Sequence, residues 1–166
     1  KQIDDLKFEL ICVGSFPDDP ELLKILTTEY QNLEVKLVGP VPEAELADYY
    51  SNHDYFILPS LCDGFGMVTA QAMLFGCCSI ISSMAGSSEL IDDGINGFIV
   101  DDFRDVSGSR LKLMSIFQME CNEISALRKN AGLTIRKLAK ENKYGRDASR
   151  NLEILVAGHT GPLNKH

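Results

Sequence analysis

Residues 59–66, Pro-Ser-Leu-Cys-Asp-Gly-Phe-Gly, join an apolar run (YFIL, residues 55–58) to a helix-forming segment, and they combine a carboxylate with two glycines. Glycine lets the backbone approach a ligand closely. The unpaired amides of a helix start attract an anion, most often a phosphate. The plainer reading of Gly64 and Gly66 is a tight strand-to-helix turn, and the two glycines alone weigh about evenly between these roles. Asp63 and Gln71 lie eight residues apart. A helix beginning at Asp63 would carry both on one side, two turns apart, within reach of a ligand lying over the strand ends. Ala70 and Ala72 flank Gln71 with small side chains that allow close packing on a sheet.

Other residues of chemical type read more simply. The five cysteines (Cys12, Cys62, Cys77, Cys78, Cys121) form no C-x-x-C and no even framework, which fits reduced thiols in a cytosolic protein. His53, His159 and His166 give no zinc spacing with them, so no metal is expected. Asp54 precedes a strand and is expected to fix a turn, and His53 beside it to be a surface loop residue. Of Tyr49 and Tyr50, at least one should pack on a sheet. Lys129, Arg136, Lys137, Lys140 and Lys143 recur opposite an apolar helix face and read as a solvated surface.

The elements that must position the 59–66 segment alternate in type. Residues 7–13 (KFELICV) and 34–38 (EVKLV) are strand candidates, each followed at once by glycine. Between them Leu22, Leu26, Tyr30 and Leu33 predict a helix over residues 21–33, with Asp19 as its cap and Pro20 at its first position. Residues 42–52 predict a short helix, 55–58 a buried strand, 67–75 a helix stopped by Gly76, and 78–82 (CSIIS) the next strand. Asp93-Gly94 and Asn96-Gly97 mark turns before a short strand at 98–100. Helices follow at 109–121, at 123–142, with Ile124, Leu127, Ala131, Ile135 and Leu138 on one face, and at 146–156. Residues 158–166 are expected to be a poorly ordered tail or an expression remnant. This alternation implies an α/β fold with a parallel sheet covered by helices on both faces. In such sheets ligands sit beyond the carboxyl ends of the strands, which is where residues 59–66 and 83–89 fall.

Size and charge limit the partners. The chain has 166 residues, 45% of them apolar, enough for one core. Its net charge of −8 has the wrong sign for tracking nucleic acid or anionic lipid. No apolar run approaches the roughly 20 residues of a membrane-spanning helix. Residue 1 is Lys, and no leader peptide follows it, so the sequence reads as a piece of a longer protein.

Taken in order, Tyr49-Tyr50, residues 54–60 (DYFILPS), residues 63–76 (DGFGMVTAQAMLFG), Ser79-Ile80-Ile81, Gly86, Glu89 and residues 93–98 (DGINGF) make a composite pattern. Over about residues 7–157 it resembles the C-terminal domain of the retaining GT-B glycosyltransferases known as glycosyl transferases group 1, or glycosyltransferase family 4. The resemblance implies a Rossmann-like, nucleotide-sugar-binding domain over residues 1–157. This would be the C-terminal half of a GT-B fold lacking its first strand and helix, with the active site in the cleft between the two halves. In that family the glycine turn carries Glu, seven residues, then Glu. Asp63 and Gln71 stand at those places here, the first beside the donor sugar as the candidate catalytic residue, the second at the ribose hydroxyls.

By the same resemblance Gly64 and the backbone amides of Phe65, Gly66 and Met67 surround the sugar and phosphates, and Val68 lines the nucleotide pocket. Gly86 matches the second glycine of a Gly-Gly pair whose first is Ala85 here. Glu89 matches the family's next acid, for which holding backbone amides is as good a role as touching ligand. The family stabilises its diphosphate leaving group with an Arg and a Lys rather than a metal. These are expected upstream of residue 1, together with the domain that binds the acceptor, a glycan, lipid or other hydroxyl compound. The implied activity is sugar transfer, of hexosyltransferase type and with retention, in polysaccharide biosynthesis. The setting would be cytoplasmic, with a peripheral place at the inner membrane face open to the full-length protein. The chain alone is expected to bind nucleotide sugar weakly and to be inactive. Three other readings stay open: a non-catalytic nucleotide-sugar-binding subunit, a nucleotide-sugar epimerase of the same fold, and a receiver-type phosphoacceptor domain, which Asp54 fits poorly because it precedes its strand.

Overall fold

A computed structural model describes residues 6–16, 18–26, 28, 31–62, 66–141 and 145–158. The chain divides into two compact units, Lys1–Leu46 and Ala47–His166.

In the first unit β1 (Phe8–Val13), α1 (Pro20–Leu26) and β2 (Leu33–Gly39) form a β-α-β segment. The strands pair in parallel from Phe8 against Leu33, with a register shift between Cys12 and Val13. Leu33, Val35 and Leu37 alternate with the more exposed Glu34, Lys36 and Val38, the period of two of a strand with one covered face. Lys36 bonds Glu9 across the ladder and also reaches Glu34 at 3.4 Å. As expected, Asp19 caps α1, its carboxylate accepting the amide of Glu21 at 2.9 Å. The helix is shorter than its periodicity predicts. Leu33, the last apolar position of that helical spacing, is the first residue of β2, while Tyr30 and the side chains of Leu22 and Leu26 lie outside the described residues.

The second unit holds the parallel sheet β3 (Tyr55–Leu58), β4 (Cys78–Ser82) and β5 (Phe98–Val100), in that spatial order. It also holds α3 (Met67–Leu74), α4 (Val106–Phe117), α5 (Cys121–Glu141) and α6 (Gly145–Gly158), while α2 (Glu43–Asn52) enters it from the first unit. Strand alternation sorts the core into two layers. Phe56, Leu58, Ile81 and Ile99 meet α3, the second half of α5 and α6, through Ala70, Met73, Leu74, Ala131, Ile135, Leu138 and Leu152. Tyr55, Ile57, Cys78, Ile80, Phe98 and Val100 meet Ile116 of α4 and Ile124 and Leu127 of α5. This sheet therefore has helices on both faces, as the alternation of elements predicts.

One helix serves both layers. At 21 residues, about 31 Å, α5 passes the amino ends of β3 and β4. There the Arg128 guanidinium donates to the Gly76 carbonyl and pairs with Asp54 at 3.1 Å. Tyr50 of α2 is buried, edge-on to Phe56 and stacked on Phe75, so one of the two tyrosines does pack on the sheet.

Candidate functional site

The carboxyl end of β3 leads to Gly66, which caps α3 in the left-handed region at φ 55° and ψ 63°, a conformation that costs other L-residues roughly 1–2 kcal/mol. The Gly66 carbonyl accepts the Thr69 amide at 2.9 Å, which winds the first turn. The opening amides of the helix, where the positive end of its dipole lies, therefore sit beyond the strand. At the other end Gly76, at φ 89°, stops the helix. The Cys77 amide reaches back to Ala72 O at 2.9 Å and the Gly76 amide to Met73 O at 3.4 Å, a double closure that only a left-handed residue permits.

The carboxyl end of β4 turns sharply. Ser83 is tied to the neighbouring strand exit, its amide to Val100 O at 2.9 Å and its hydroxyl to Asp101 O at 2.7 Å. The Met84 amide bonds the Ser82 hydroxyl and the Ala85 amide bonds Ser82 O, both at 3.1 Å. Gly86–Leu90 then forms a 3-10 turn. Ala85, where the family pattern has glycine, sits at φ −74° and ψ 135°, a backbone state open to any residue, so its methyl group brings no strain.

A hydroxyl pair joins these two strand exits. Thr69 Oγ1 and Ser87 Oγ lie 2.9 Å apart, each side chain wholly buried. The fold thereby brings Gly66, Met67 and Val68 to the same sheet end as Gly86 and Glu89. Val68 and Glu89 are exposed, while Gly66, Met67 and Gly86 are half-buried. Gln71 is 7% exposed, between the fully buried Ala70 and Ala72. Asp63, Gly64 and Phe65 lie outside the described residues.

Several polar residues take structural places. The Asp93 carboxylate accepts the Ile99 amide at 2.8 Å and pairs with Lys112 at 2.8 Å. Buried Asn96 accepts the Asp92 amide and donates to Leu90 O and Thr134 Oγ1, which fixes the turn before β5. His53 is half-buried rather than a loose surface residue: its Nδ1 lies 2.6 Å from Tyr49 O and its ring stacks on Tyr49. All five cysteines are free. Burial pushes the Cys77 and Cys78 thiols and the Tyr55 phenol up to about 12. Among the described residues no group of three or more His, Cys, Asp or Glu converges, and no helix is long and apolar enough to cross a membrane. Among the described residues, the Thr69–Ser87 and Asp54–Arg128 pairs are two features that sequence spacing misses, because each links segments whose separation has no local period.

The profile of the family described as glycosyl transferases group 1 matches residues 1–115. A D-inositol 3-phosphate glycosyltransferase of Thermobispora bispora is 32% identical over 104 residues, covering 58% of this chain and 24% of its own length. Among solved structures, Anabaena HepE in complex with UDP-glucose superposes with a TM-score of 0.65 at 20% identity, over 89% of this chain and 39% of that one. A glycosyltransferase of Rickettsia africae gives 0.59 at 17% identity, over 91% and 40%. These structural likenesses show a shared GT-B-type fold. The chain spans about a quarter or less of the length of curated relatives it matches.

Proposed function

Since the chain belongs to the glycosyl transferases group 1 family, we propose that it is the donor-binding part of a glycosyltransferase, residues 1–157 forming the nucleotide-sugar domain. The observation that carries this reading is the junction of the α3 start at Gly66 with the Gly86–Leu90 turn at one sheet end, held by the buried Thr69–Ser87 pair. Helix-start amides beside glycines that admit a ligand suit the diphosphate of a nucleotide sugar. The UDP-glucose complex of HepE, which has the same fold, lends support.

In this reading the first amides of α3 hold the diphosphate and Val68 lines the nucleotide pocket. Gln71 meets the ribose hydroxyls with an amide that both donates and accepts. Gly86 permits close approach, and Glu89 orders its turn or touches the donor. Asp63 stands by the sugar carbon that reacts. Preorganised dipoles matter most where charge develops, and here that is on the leaving diphosphate. The transfer is to a hydroxyl acceptor with retention, of hexosyltransferase type, in cytoplasmic polysaccharide biosynthesis, without a metal or other cofactor.

The test uses the full-length protein with UDP-glucose, GDP-mannose and ADP-glucose, following nucleotide diphosphate release and the anomeric configuration of the product. One donor is turned over with retention, EDTA leaves the rate unchanged, and Asp63→Ala lowers kcat by about 100-fold. Tight binding without turnover would instead identify a non-catalytic subunit, and an altered free nucleotide sugar formed without acceptor would identify an epimerase.

A further inference from the structure

We propose that Thr69 and Ser87 are positioning residues. They would hold the α3 start and the Gly86–Leu90 turn at a fixed separation, so that the donor site is formed before the nucleotide sugar arrives; this rests on the donor-binding reading above. Both hydroxyls are wholly buried and lie 2.9 Å apart. Burying two hydroxyls is unfavourable, and their mutual bond does little more than restore what desolvation takes away. A Val–Ala pair would fill similar space without that penalty. What the hydroxyl pair adds is a defined distance and direction between two turns.

Leu90 of the turn shares an apolar cluster with Ala70, Met73 and Leu74 of α3, while the polar anchors of the two segments are separate. The base of the Gly86–Leu90 turn is tied towards β5 through Ser83, and the first turn of α3 is wound on Gly66. Thr69 is the third residue of α3 and Ser87 the second of its turn. The bond therefore spans the gap one residue away from Val68 on one side and from Gly86 on the other. Without it, the two turns spend part of their time at separations a donor cannot bridge, and apparent affinity falls by the fraction of competent molecules.

The full-length protein is compared as wild type, Thr69→Val, Ser87→Ala and the double variant, using whichever of the three nucleotide sugars it turns over. Each single variant leaves one hydroxyl buried and unpaired, so its Tm falls; the double variant regains Tm because neither remains. Donor KM rises about ten-fold in all three, while acceptor KM stays constant and kcat changes little. Thr69→Ser keeps wild-type values. A merely structural pair would restore donor KM together with Tm in the double variant, and that result overturns the proposal, as does a wild-type donor KM in every variant. A wild-type protein that neither binds nor turns over any nucleotide sugar overturns the donor-binding reading itself, and this inference with it.

Discussion

Arg128 shows how much one side chain can hold. It is 20% exposed, donates to the Gly76 carbonyl, and pairs with an Asp54 that is 78% exposed. The two contacts differ in weight. A guanidinium bond to a backbone carbonyl that closes a helix is worth about 1.5–3 kcal/mol, whereas an ion pair whose acid lies in water contributes at most about 1 kcal/mol. Arg128→Ala should therefore destabilise by about 2 kcal/mol, and Asp54→Ala by about 0.5 kcal/mol or less, both read from urea midpoints. Equal losses would mean that the ion pair dominates. Asp54 reads locally as a turn residue, because its partner lies 74 positions away and no spacing rule reaches that far. Asp19 needed no such partner: cap and helix are adjacent, so its role was legible.

At the scale of elements, the amino ends of β3 and β4 gather groups that must stay neutral. Cys77 donates to Tyr50 O at 3.1 Å, and burial lifts its thiol from 9.0 to about 12. The unfolded chain releases this proton near pH 9 and the folded chain near pH 12. Stability is therefore complete below pH 9 and is lost as pH rises through that window. By pH 10.5 the loss from this thiol is about 2 kcal/mol. Urea unfolding at pH 8 and pH 10.5 should show it as a difference between wild type and Cys77→Ala, with the variant falling less; parallel curves would contradict it. Elements with their own punctuation were legible, as with β4 after Gly76 and α3 before it. Where punctuation was weak, periodicity overran. The helical spacing through Leu33 continued into β2, and α4 starts at Val106, earlier than predicted, because Asp105 caps it by accepting the Gly108 amide at 3.1 Å.

At the scale of the whole molecule, the order of strands and helices was readable because each buried strand is a short apolar run. The division after Leu46 was not, since it falls inside α2 with no change in composition. Charge has the larger consequence. In the proposed donor-binding role, a chain of net charge −8 sets a long-range repulsion of the diphosphate against a short-range attraction. The dipole of α3 amounts to about half a positive charge and fades within a turn. The repulsion acts over a screening length of about 30 Å at 10 mM salt and about 10 Å at 100 mM. Added salt therefore removes more repulsion than attraction. For this 166-residue chain, UDP-glucose affinity measured by calorimetry should be weak and should improve by about two-fold between 10 and 100 mM NaCl, with no sugar released or transferred. Affinity that instead falls steeply with salt would show that a cationic group of this chain holds the diphosphate, in place of the helix-start amides at Gly66.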